Sequence, residues 1–283
     1  MNLSNLIKYG TERLENAGIA DASSDARIFA MHICKLSYTD MLMKKNDEID
    51  SGTYESYKEC VDRRCEHIPT QYIVGSTEFM GYEFEVMEGV LIPRPETELL
   101  VERAIELSKD IPRVKVLDMC CGSGCIGISY ELLRRSQGKT GDVLHLADIS
   151  DSAIELTDRN ARKHDINCNI IKTDLFSNID TTYDIIISNP PYIRTSDIDE
   201  LEEEVRIHEP RLALDGFFDG LHFYREIIKA AVKRLTVNGI IAFEIGYDQY
   251  EDVSRLLEKS GFTDITLTKD YASLDRIVTA CRK

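Results

Sequence analysis

Short apolar runs alternate with amphipathic segments from Val114 to the end of the chain. The run 114–119 has the length and apolar character of a buried strand, and a helix is predicted from about Gly124. The same order then repeats. Further strands are predicted at 143–148, 169–172, 184–188, 240–245, 264–268 and 276–280, and further helices at 152–164, 224–235 and 249–260. Repeated strand–helix units build a twisted, mostly parallel sheet with helices on both faces, which is an α/β fold.

The first 74 residues lack this alternation and carry apolar residues at helical spacing. Leu3, Leu6 and Leu14 share one helical face after a cap signal at Ser4. Two further helices are predicted, at 25–37 and 54–68. We therefore predict a small helical domain over residues 1–74.

Between residues 75 and 90 the pattern changes to strict alternation. Tyr82, Phe84 and Val86 fall on one side of this segment, and glycines that favour turns flank it. The pattern predicts a β-hairpin linker at 75–90, followed by the α/β domain at 91–283. After two prolines, Thr97 is expected to cap the first helix of that domain.

Composition argues against several classes of protein. The chain has 34 Lys and Arg residues against 50 Asp and Glu residues, a net charge of −16, so its affinity is not expected to come from nucleic-acid phosphates. No apolar run approaches the roughly 18 residues of a membrane helix, and the first ten residues do not resemble a secretory signal. We expect a cytoplasmic location and no membrane partner. The eight cysteines form no CxxC pair, which favours free thiols and no structural metal.

A glycine-rich loop follows the strand at 114–119. Gly122 and Gly124 allow a sharp turn and the close approach of a ligand, although such a turn also fits a purely structural loop or a dinucleotide site. Asp118 precedes the loop, and Asp148 ends the next strand, where a carboxylate can hold both ribose hydroxyls. This ordered set favours S-adenosylmethionine, with a helix-capping role as the alternative for Asp118. Asp174 follows the third strand and is expected near the adenine amino group, or else as a loop residue.

The sequence Asn-Pro-Pro-Tyr at 189–192 directly follows an apolar strand. The two prolines stiffen the backbone at the strand's carboxyl end, where open α/β sheets bind ligands. The Asn189 side-chain oxygen and the Pro190 carbonyl can each accept one N–H of a planar –NH₂ group, while Tyr192 stacks on it. We predict that Asn189, Pro190, Pro191 and Tyr192 form the catalytic and substrate-binding site for such a group. The alternative is a rigid turn with a core tyrosine.

These features, with several others, resemble the HemK/PrmC family of glutamine-N5 methyltransferases that modify peptide chain release factors. The other matching motifs are Ile68–Gly75, Leu91–Glu98 (LIPRPETE), His208–Leu214, Glu244–Gly246 and Asp275-Arg276. The resemblance implies a class I S-adenosylmethionine-dependent methyltransferase fold, Rossmann-like, with a seven-stranded mostly parallel sheet. It also implies that the helical domain recognises the substrate, which is the glutamine of a Gly-Gly-Gln loop.

The resemblance further implies roles for individual residues. Asp148 would hold the ribose, and Asn189 would contact both cofactor and glutamine. Leu175 stands where the family often has an aromatic residue beside the adenine, which weakens base stacking. The residues implied to line the methionine part of the cofactor are Cys120, Cys121, Gly122, Ser123 and Gly124.

Some residues and functions remain open at this level. Arg94 and Glu98 are candidates to close over the cofactor, with purely structural roles as the alternative, and His208 is expected to be solvated. An adenine or guanine amino-methyltransferase would use the same Asn-Pro-Pro-Tyr motif on a flipped base. A ribosomal-protein glutamine methyltransferase would share the catalytic residues, and a binding factor that had lost catalysis would share the fold.

Overall fold

The computed structural model describes residues 1–283, which form two compact units. The first unit comprises Met1–Ser76 together with Glu202–His208. The second comprises Thr77–Leu201 and Glu209–Lys283. None of the helices in either unit combines the length and apolar character needed to cross a membrane.

The first unit is helical. Its helices are Leu3–Asn16, Ala22–Cys34, Tyr38–Met43, Ser51–Cys65, Thr70–Val74 and Glu203–His208. The predicted cap at Ser4 is wrong, because the first helix begins one residue after Asn2, whose side chain accepts a hydrogen bond from the Asn5 N–H at 2.9 Å. Inside the unit, the Tyr57 hydroxyl donates to the Ala26 carbonyl at 3.1 Å. A Cβ at Gly10 would lie 2.0 Å from that hydroxyl, so glycine lets the first helix pass the ring.

A buried arginine connects the two stretches of chain that make up the helical unit. Arg64 donates from Nε to Asp25 Oδ2 at 2.7 Å, and its Nη1 lies 2.7 Å from Glu204 Oε2. The same Nη1 donates to the Ile68 carbonyl at 3.2 Å. Since a buried guanidinium requires paired charges and hydrogen bonds, these contacts hold the late segment Glu202–His208 against the N-terminal helices.

The second unit contains a two-stranded and a seven-stranded sheet. The strands are β1 (Ser76–Phe79), β2 (Tyr82–Glu85), β3 (Lys115–Met119), β4 (Val143–Asp148), β5 (Asn169–Lys172), β6 (Tyr183–Ser188), β7 (Leu235–Glu244), β8 (Phe262–Lys269) and β9 (Asp275–Arg282). The α-helices are Glu98–Ser108, Cys125–Ser136, Asp151–Lys163, Arg211–Leu214, His222–Arg234 and Tyr250–Lys259, with 3₁₀ turns at Pro95–Thr97 and Thr195–Glu200.

The seven-stranded sheet has the order β5-β4-β3-β6-β7-β9-β8. Its first five strands are parallel, and β9 runs antiparallel to both β7 and β8. The predicted mostly parallel α/β sheet is therefore confirmed. Strand β7 begins at Leu235 instead of residue 240, because the buried Leu235 pairs with Tyr183 across a register shift.

Alternate residues of the central strands pack into two cores on opposite faces of the sheet. Ile185 and Ile187 lie in one core with Leu100, whereas Ile186 lies in the other with Tyr224. Burial on both faces explains why these strands read as continuous apolar runs. The parallel register pairs Met119 at the end of β3 with Ala147 and Ser188, so the loops after β3, β4 and β6 emerge at one edge.

Candidate functional site

A cavity of about 340 Å³ opens at the carboxyl ends of β3, β4 and β6. The structure brings together nine of the predicted site residues along its wall. They are Cys120, Cys121, Gly122, Ser123, Asp148, Asp174, Leu175, Asn189 and Pro191. Its position agrees with the rule that open α/β sheets bind ligands outside the carboxyl ends of their strands.

Three other predicted residues lie outside the wall of this cavity. Gly124 occupies the N-cap of the helix Cys125–Ser136, and Pro190 is buried. The Tyr192 hydroxyl donates to Glu244 Oε1 at 3.3 Å, and burial raises the pKa of this tyrosine well above its ordinary value.

Several further cavity residues had no predicted role in ligand binding. They include Gly89, Val90, Leu91, Pro93, Thr97, Leu212, Phe217, His222 and Phe223. Of the two residues that the sequence left open, Arg94 lines the cavity and pairs with Glu209, whereas Glu98 accepts a hydrogen bond from the Met80 N–H at 2.5 Å. Most of the unpredicted residues are apolar or lie in loops, and only the motifs Leu91–Glu98 and His208–Leu214 gave any signal for this part of the wall.

The glycine loop adopts a conformation that few side chains tolerate. Cys120, Gly122 and Gly124 all have positive φ, at 62°, 56° and 78°. A Cβ at Gly124 would lie 3.1 Å from both Ile128 and Thr157, so the turn requires glycine for space as well as for backbone angle. The loop is joined to the sheet by a hydrogen bond from the Cys121 N–H to the Ala147 carbonyl at 3.0 Å.

Asp148 links the end of β4 to the glycine loop. Its Oδ2 accepts from the Gly122 N–H and its Oδ1 from the Ser150 N–H, both at 2.9 Å. Burial raises the pKa of this carboxyl, and the hydrogen bonds from Ser150 and Gly122 oppose that effect. Each carboxylate oxygen has a second acceptor position that these bonds leave free.

Asp118 has a different position from Asp148. It is fully buried, and its Oδ2 accepts from the Gly127 N–H in the first turn of the helix Cys125–Ser136 at 2.9 Å. Burial raises the pKa of this carboxyl to about 7. This contact is the one expected from the alternative of a helix-capping carboxylate, and Asp118 is not among the residues that line the cavity.

Asn189 lies in a hydrogen-bonded group that includes a buried carboxylate. Its Nδ2 donates to Thr97 Oγ1 at 3.4 Å, and the Thr97 hydroxyl donates to Glu244 Oε2 at 2.6 Å. Thr97 occupies the expected N-cap position of the helix Glu98–Ser108, but its side chain makes this contact with Glu244 and no cap hydrogen bond. Burial raises the pKa of Glu244, while Thr97, Arg276 and Tyr192 oppose that rise.

The backbone after Asn189 is held by a glutamine side chain and packs closely against two glycines. Gln249 Nε2 donates to the Tyr192 carbonyl at 2.9 Å, and its Oε1 accepts from the Gly246 N–H at 2.9 Å. A Cβ at Gly216 would lie 2.8 Å from the Tyr192 Cα, and one at Gly220 would lie 2.4 Å from the Tyr192 carbonyl oxygen. The Asn-Pro-Pro-Tyr turn is therefore fixed from several sides.

Comparisons with known proteins agree with this geometry. Residues 5–75 match the model of the PrmC N-terminal domain, and residues 95–212 match that of the methyltransferase small domain. The release factor glutamine methyltransferase of Clostridium botulinum is 38% identical over 285 residues, which cover 99% of both chains. The chain belongs to the release factor glutamine methyltransferase family. The Geobacter sulfurreducens release factor glutamine methyltransferase is 40% identical over 219 residues, 77% of this chain and 75% of that one.

Solved structures of other methyltransferases share the fold of this family member. The ribosomal protein L11 methylase of Lactobacillus delbrueckii subsp. bulgaricus has a TM-score of 0.51 at 19% identity, covering 70% of this chain and 84% of that one. A T. thermophilus 16S rRNA N2 G1207 methyltransferase, in complex with AdoMet and guanosine, also has a TM-score of 0.51, at 17% identity, covering 74% of this chain and 50% of that one. The expected class I methyltransferase fold is confirmed.

Proposed function

We propose that this enzyme transfers a methyl group from S-adenosylmethionine to the side-chain amide nitrogen of the glutamine in the Gly-Gly-Gln motif of peptide chain release factors. The observation that carries the proposal is the position of Asn189 on the wall of the cavity that Asp148 also lines. One side chain suited to a planar amide and one suited to a ribose thereby share a single cavity. The names of the relatives indicate a release-factor glutamine as the substrate. The family resemblance implies that this glutamine lies in Gly-Gly-Gln.

The donor set of the cavity fits S-adenosylmethionine. Asp148 keeps free acceptor positions for two ribose hydroxyls, and the loop Cys120–Gly124 has room for the methionine part because two of its residues lack side chains. Leu175 and Asp174 would flank the adenine. When bound, this cofactor supplies an electrophilic methyl group on a sulfonium centre.

The residues after β6 would position the nucleophile. An amide nitrogen is a poor nucleophile because its lone pair is delocalised, so orientation must supply much of the rate. Asn189 Oδ1 and the Pro190 carbonyl would each accept one N–H of the substrate amide, and Tyr192 would stack on its plane. Effective molarity of this kind is worth about 7–11 kcal/mol in favourable cases. Methyl transfer would give S-adenosylhomocysteine as the leaving group and an N-protonated methylamide, which is acidic and would lose its proton to a carbonyl or to water.

The helical unit is proposed to recognise the folded release factor. This unit matches the family's N-terminal domain and has a hydrophobic core of its own, built on residues such as Leu6, Phe29 and Val61. A short Gly-Gly-Gln peptide offers few contacts to offset the cost of ordering it, so a second surface is needed for affinity. Deletion of residues 1–74 is expected to abolish methylation of the intact factor, with circular dichroism and cofactor titration as controls for folding.

The function is tested by incubation with labelled S-adenosylmethionine and, in parallel, a purified release factor, ribosomal proteins and nucleic acid. We expect label only on the release factor, placed by peptide mass analysis on the glutamine of Gly-Gly-Gln. A release factor with that glutamine changed to alanine is the matched substrate control. Label on a ribosomal protein or on nucleic acid, and none on Gly-Gly-Gln, would overturn the proposal.

A further inference from the structure

A chain of hydrogen bonds runs from a buried carboxylate to the side chain of Asn189. Glu244, at the end of β7, is 2% exposed, and Thr97, in the 3₁₀ turn before the first helix of the second unit, is 3% exposed. The Thr97 hydroxyl donates to Glu244 Oε2 at 2.6 Å, and Thr97 Oγ1 itself accepts from Asn189 Nδ2 at 3.4 Å. Thr97 is 92 positions from Asn189 and 147 positions from Glu244 in the sequence, yet the three side chains form one chain of hydrogen bonds.

The direction of this chain of hydrogen bonds is set by the single hydrogen of the Thr97 hydroxyl. A hydroxyl has one hydrogen, and Thr97 donates its hydrogen to Glu244 Oε2, while the other oxygen of Glu244 accepts from the Tyr192 hydroxyl. Thr97 Oγ1 therefore offers Asn189 a lone pair and no hydrogen. The –NH₂ end of the Asn189 amide must face Thr97, and its carbonyl oxygen must point away.

We propose that Thr97 and Glu244 are positioning residues, which fix the Asn189 amide so that its carbonyl oxygen faces the –NH₂ group of the substrate glutamine. This inference rests on the proposed function. With the amide rotated by a half-turn, Oδ1 would face the Thr97 oxygen, and two acceptors without a hydrogen between them repel. The rotated amide would also present its own –NH₂ to the –NH₂ of the substrate. The hydrogen-bond chain from Glu244 through Thr97 to Asn189, called the relay below, therefore disfavours the amide orientation that cannot bind the substrate.

The second oxygen of Glu244 acts on the same motif. Glu244 Oε1 accepts from the Tyr192 hydroxyl at 3.3 Å, so one carboxylate contacts both polar side chains of Asn-Pro-Pro-Tyr, directly or through Thr97. The positive charge of Arg276, which donates to Asp270 Oδ2 at 3.0 Å, lies near enough to favour ionised Glu244. A buried carboxylate adds little stability compared with an apolar residue of similar size, which favours a positioning role over a purely structural one.

The relay is tested with two replacements of Thr97 that differ in one group. Thr97→Val keeps the shape and removes the hydroxyl, whereas Thr97→Ser keeps the hydroxyl. We expect Thr97→Val to lower kcat for release-factor methylation about tenfold, with cofactor Kd and KM changing far less, and Thr97→Ser to retain most of the wild-type kcat. Thr236→Val is the matched control, because Thr236 also donates to a carboxylate, Asp184, at 3.0 Å near the other end of β7.

The outcomes separate this inference from the proposed function. Wild-type enzyme that methylates no release factor contradicts the function. Active wild type with Thr97→Val equally active, or with Thr97→Ser as impaired as Thr97→Val, overturns the relay. If the wild-type enzyme methylates no release factor, the relay can still be tested without substrate by ¹⁵N–¹H NMR. The side-chain –NH₂ signals of Asn189 are identified by their absence in Asn189→Ala. These signals should shift in Thr97→Val and stay near their positions in Thr97→Ser. Unchanged signals in Thr97→Val would also overturn it.

Discussion

The Gly122 backbone N–H donates to Asp148 Oδ2 at 2.9 Å, so the carboxylate at the end of β4 also holds the glycine loop after β3. One side chain thus orders the backbone that is proposed to surround the methionine part of the cofactor, and the same side chain is proposed to contact the ribose. This double role makes Asp148 the residue whose loss should affect cofactor binding most.

We expect Asp148→Ala to raise the Kd for S-adenosylmethionine by about tenfold or more. Loss of hydrogen bonds between a charged group and the ribose hydroxyls costs roughly 1.5–3 kcal/mol. Isothermal titration calorimetry measures the change. Asp151→Ala is the control, because Asp151 is an exposed carboxylate in the next helix, paired with Lys172. Wild-type affinity in Asp148→Ala would rule out the ribose contact.

Replacement of Asn189 should separate turnover from cofactor binding. We expect Asn189→Ala to lower kcat far more than it weakens cofactor binding, because the side chain orients the nucleophile during transfer. The exposed Asn169 provides the control variant Asn169→Ala. Equal losses in kcat and in cofactor affinity would point to a structural role for Asn189.

Gly216 allows the chain to pass directly against the Asn-Pro-Pro-Tyr turn. In Gly216→Ala, the added Cβ would lie 2.8 Å from backbone atoms of both Tyr192 and Gly220, which cannot move independently of the turn. We expect a lower kcat together with a lower Tm. Gly52→Ala is the control, since the nearest atom to a Cβ there is a side-chain oxygen of Asp50 at 3.2 Å. A Gly216→Ala enzyme with normal kcat would show that the turn tolerates displacement.

The sequence predicted the sheet and nine residues of the cavity wall for a specific physical reason. Parallel strands buried on both faces are apolar runs, and their carboxyl ends lie at one edge, so Asp148 and Asn189 could be placed together from strand positions alone. The glycine loop was recognisable because Gly122 and Gly124 meet a backbone requirement that is local in sequence.

The parts that sequence reasoning missed depend on contacts between distant residues. Glu244 falls within the predicted apolar strand at 240–245, and only the folded chain shows its contacts with Thr97 and Tyr192. Thr97 itself resembled a helix cap, a local pattern that the tertiary contact overrides. No local pattern indicates that the acidic segment 202–208 belongs with the N-terminal helices, because the contact that holds it there begins at Arg64.

The buried carboxyl of Asp118 should give the protein a characteristic dependence of stability on pH. Its pKa is about 7 in the folded protein, against an ordinary value of 3.8 when exposed. The unfolded chain therefore loses this proton near pH 4, while the folded chain keeps it until about pH 7. The stabilising contribution is complete below the unfolded pKa and is lost as the pH rises through the folded one.

Asp118→Asn removes this titration and can keep the hydrogen bond from Gly127. We expect the Tm of the variant, relative to wild type, to rise steadily from pH 4 to about pH 7 and then to level off. Thermal unfolding followed by circular dichroism at each pH measures the difference. Parallel profiles for the two proteins would show that Asp118 does not titrate in this range.

Removal of one partner from a fully buried ion pair should strongly destabilise the second unit. Arg134 is 0% exposed and donates to both oxygens of Asp142, at 2.8 and 3.0 Å, and to the carbonyls of Ser108 and Ile111. We expect Arg134→Met to lower the free energy of unfolding by about 3–5 kcal/mol, because Asp142 is left as a buried, unpaired charge. Urea unfolding measures the loss. Arg255→Met, at an exposed arginine, should change stability by less than about 1 kcal/mol.

The two-part construction of the helical unit determines the order in which it is completed during synthesis. Asp25 and Arg64 leave the ribosome early, whereas Glu204 follows Ser76 by 128 residues. At about 5–20 residues per second, that interval is roughly 6–26 s. During this interval Asp25 is the only carboxylate partner available to Arg64. The ion pair with Glu204 forms only when most of the parallel sheet has been translated.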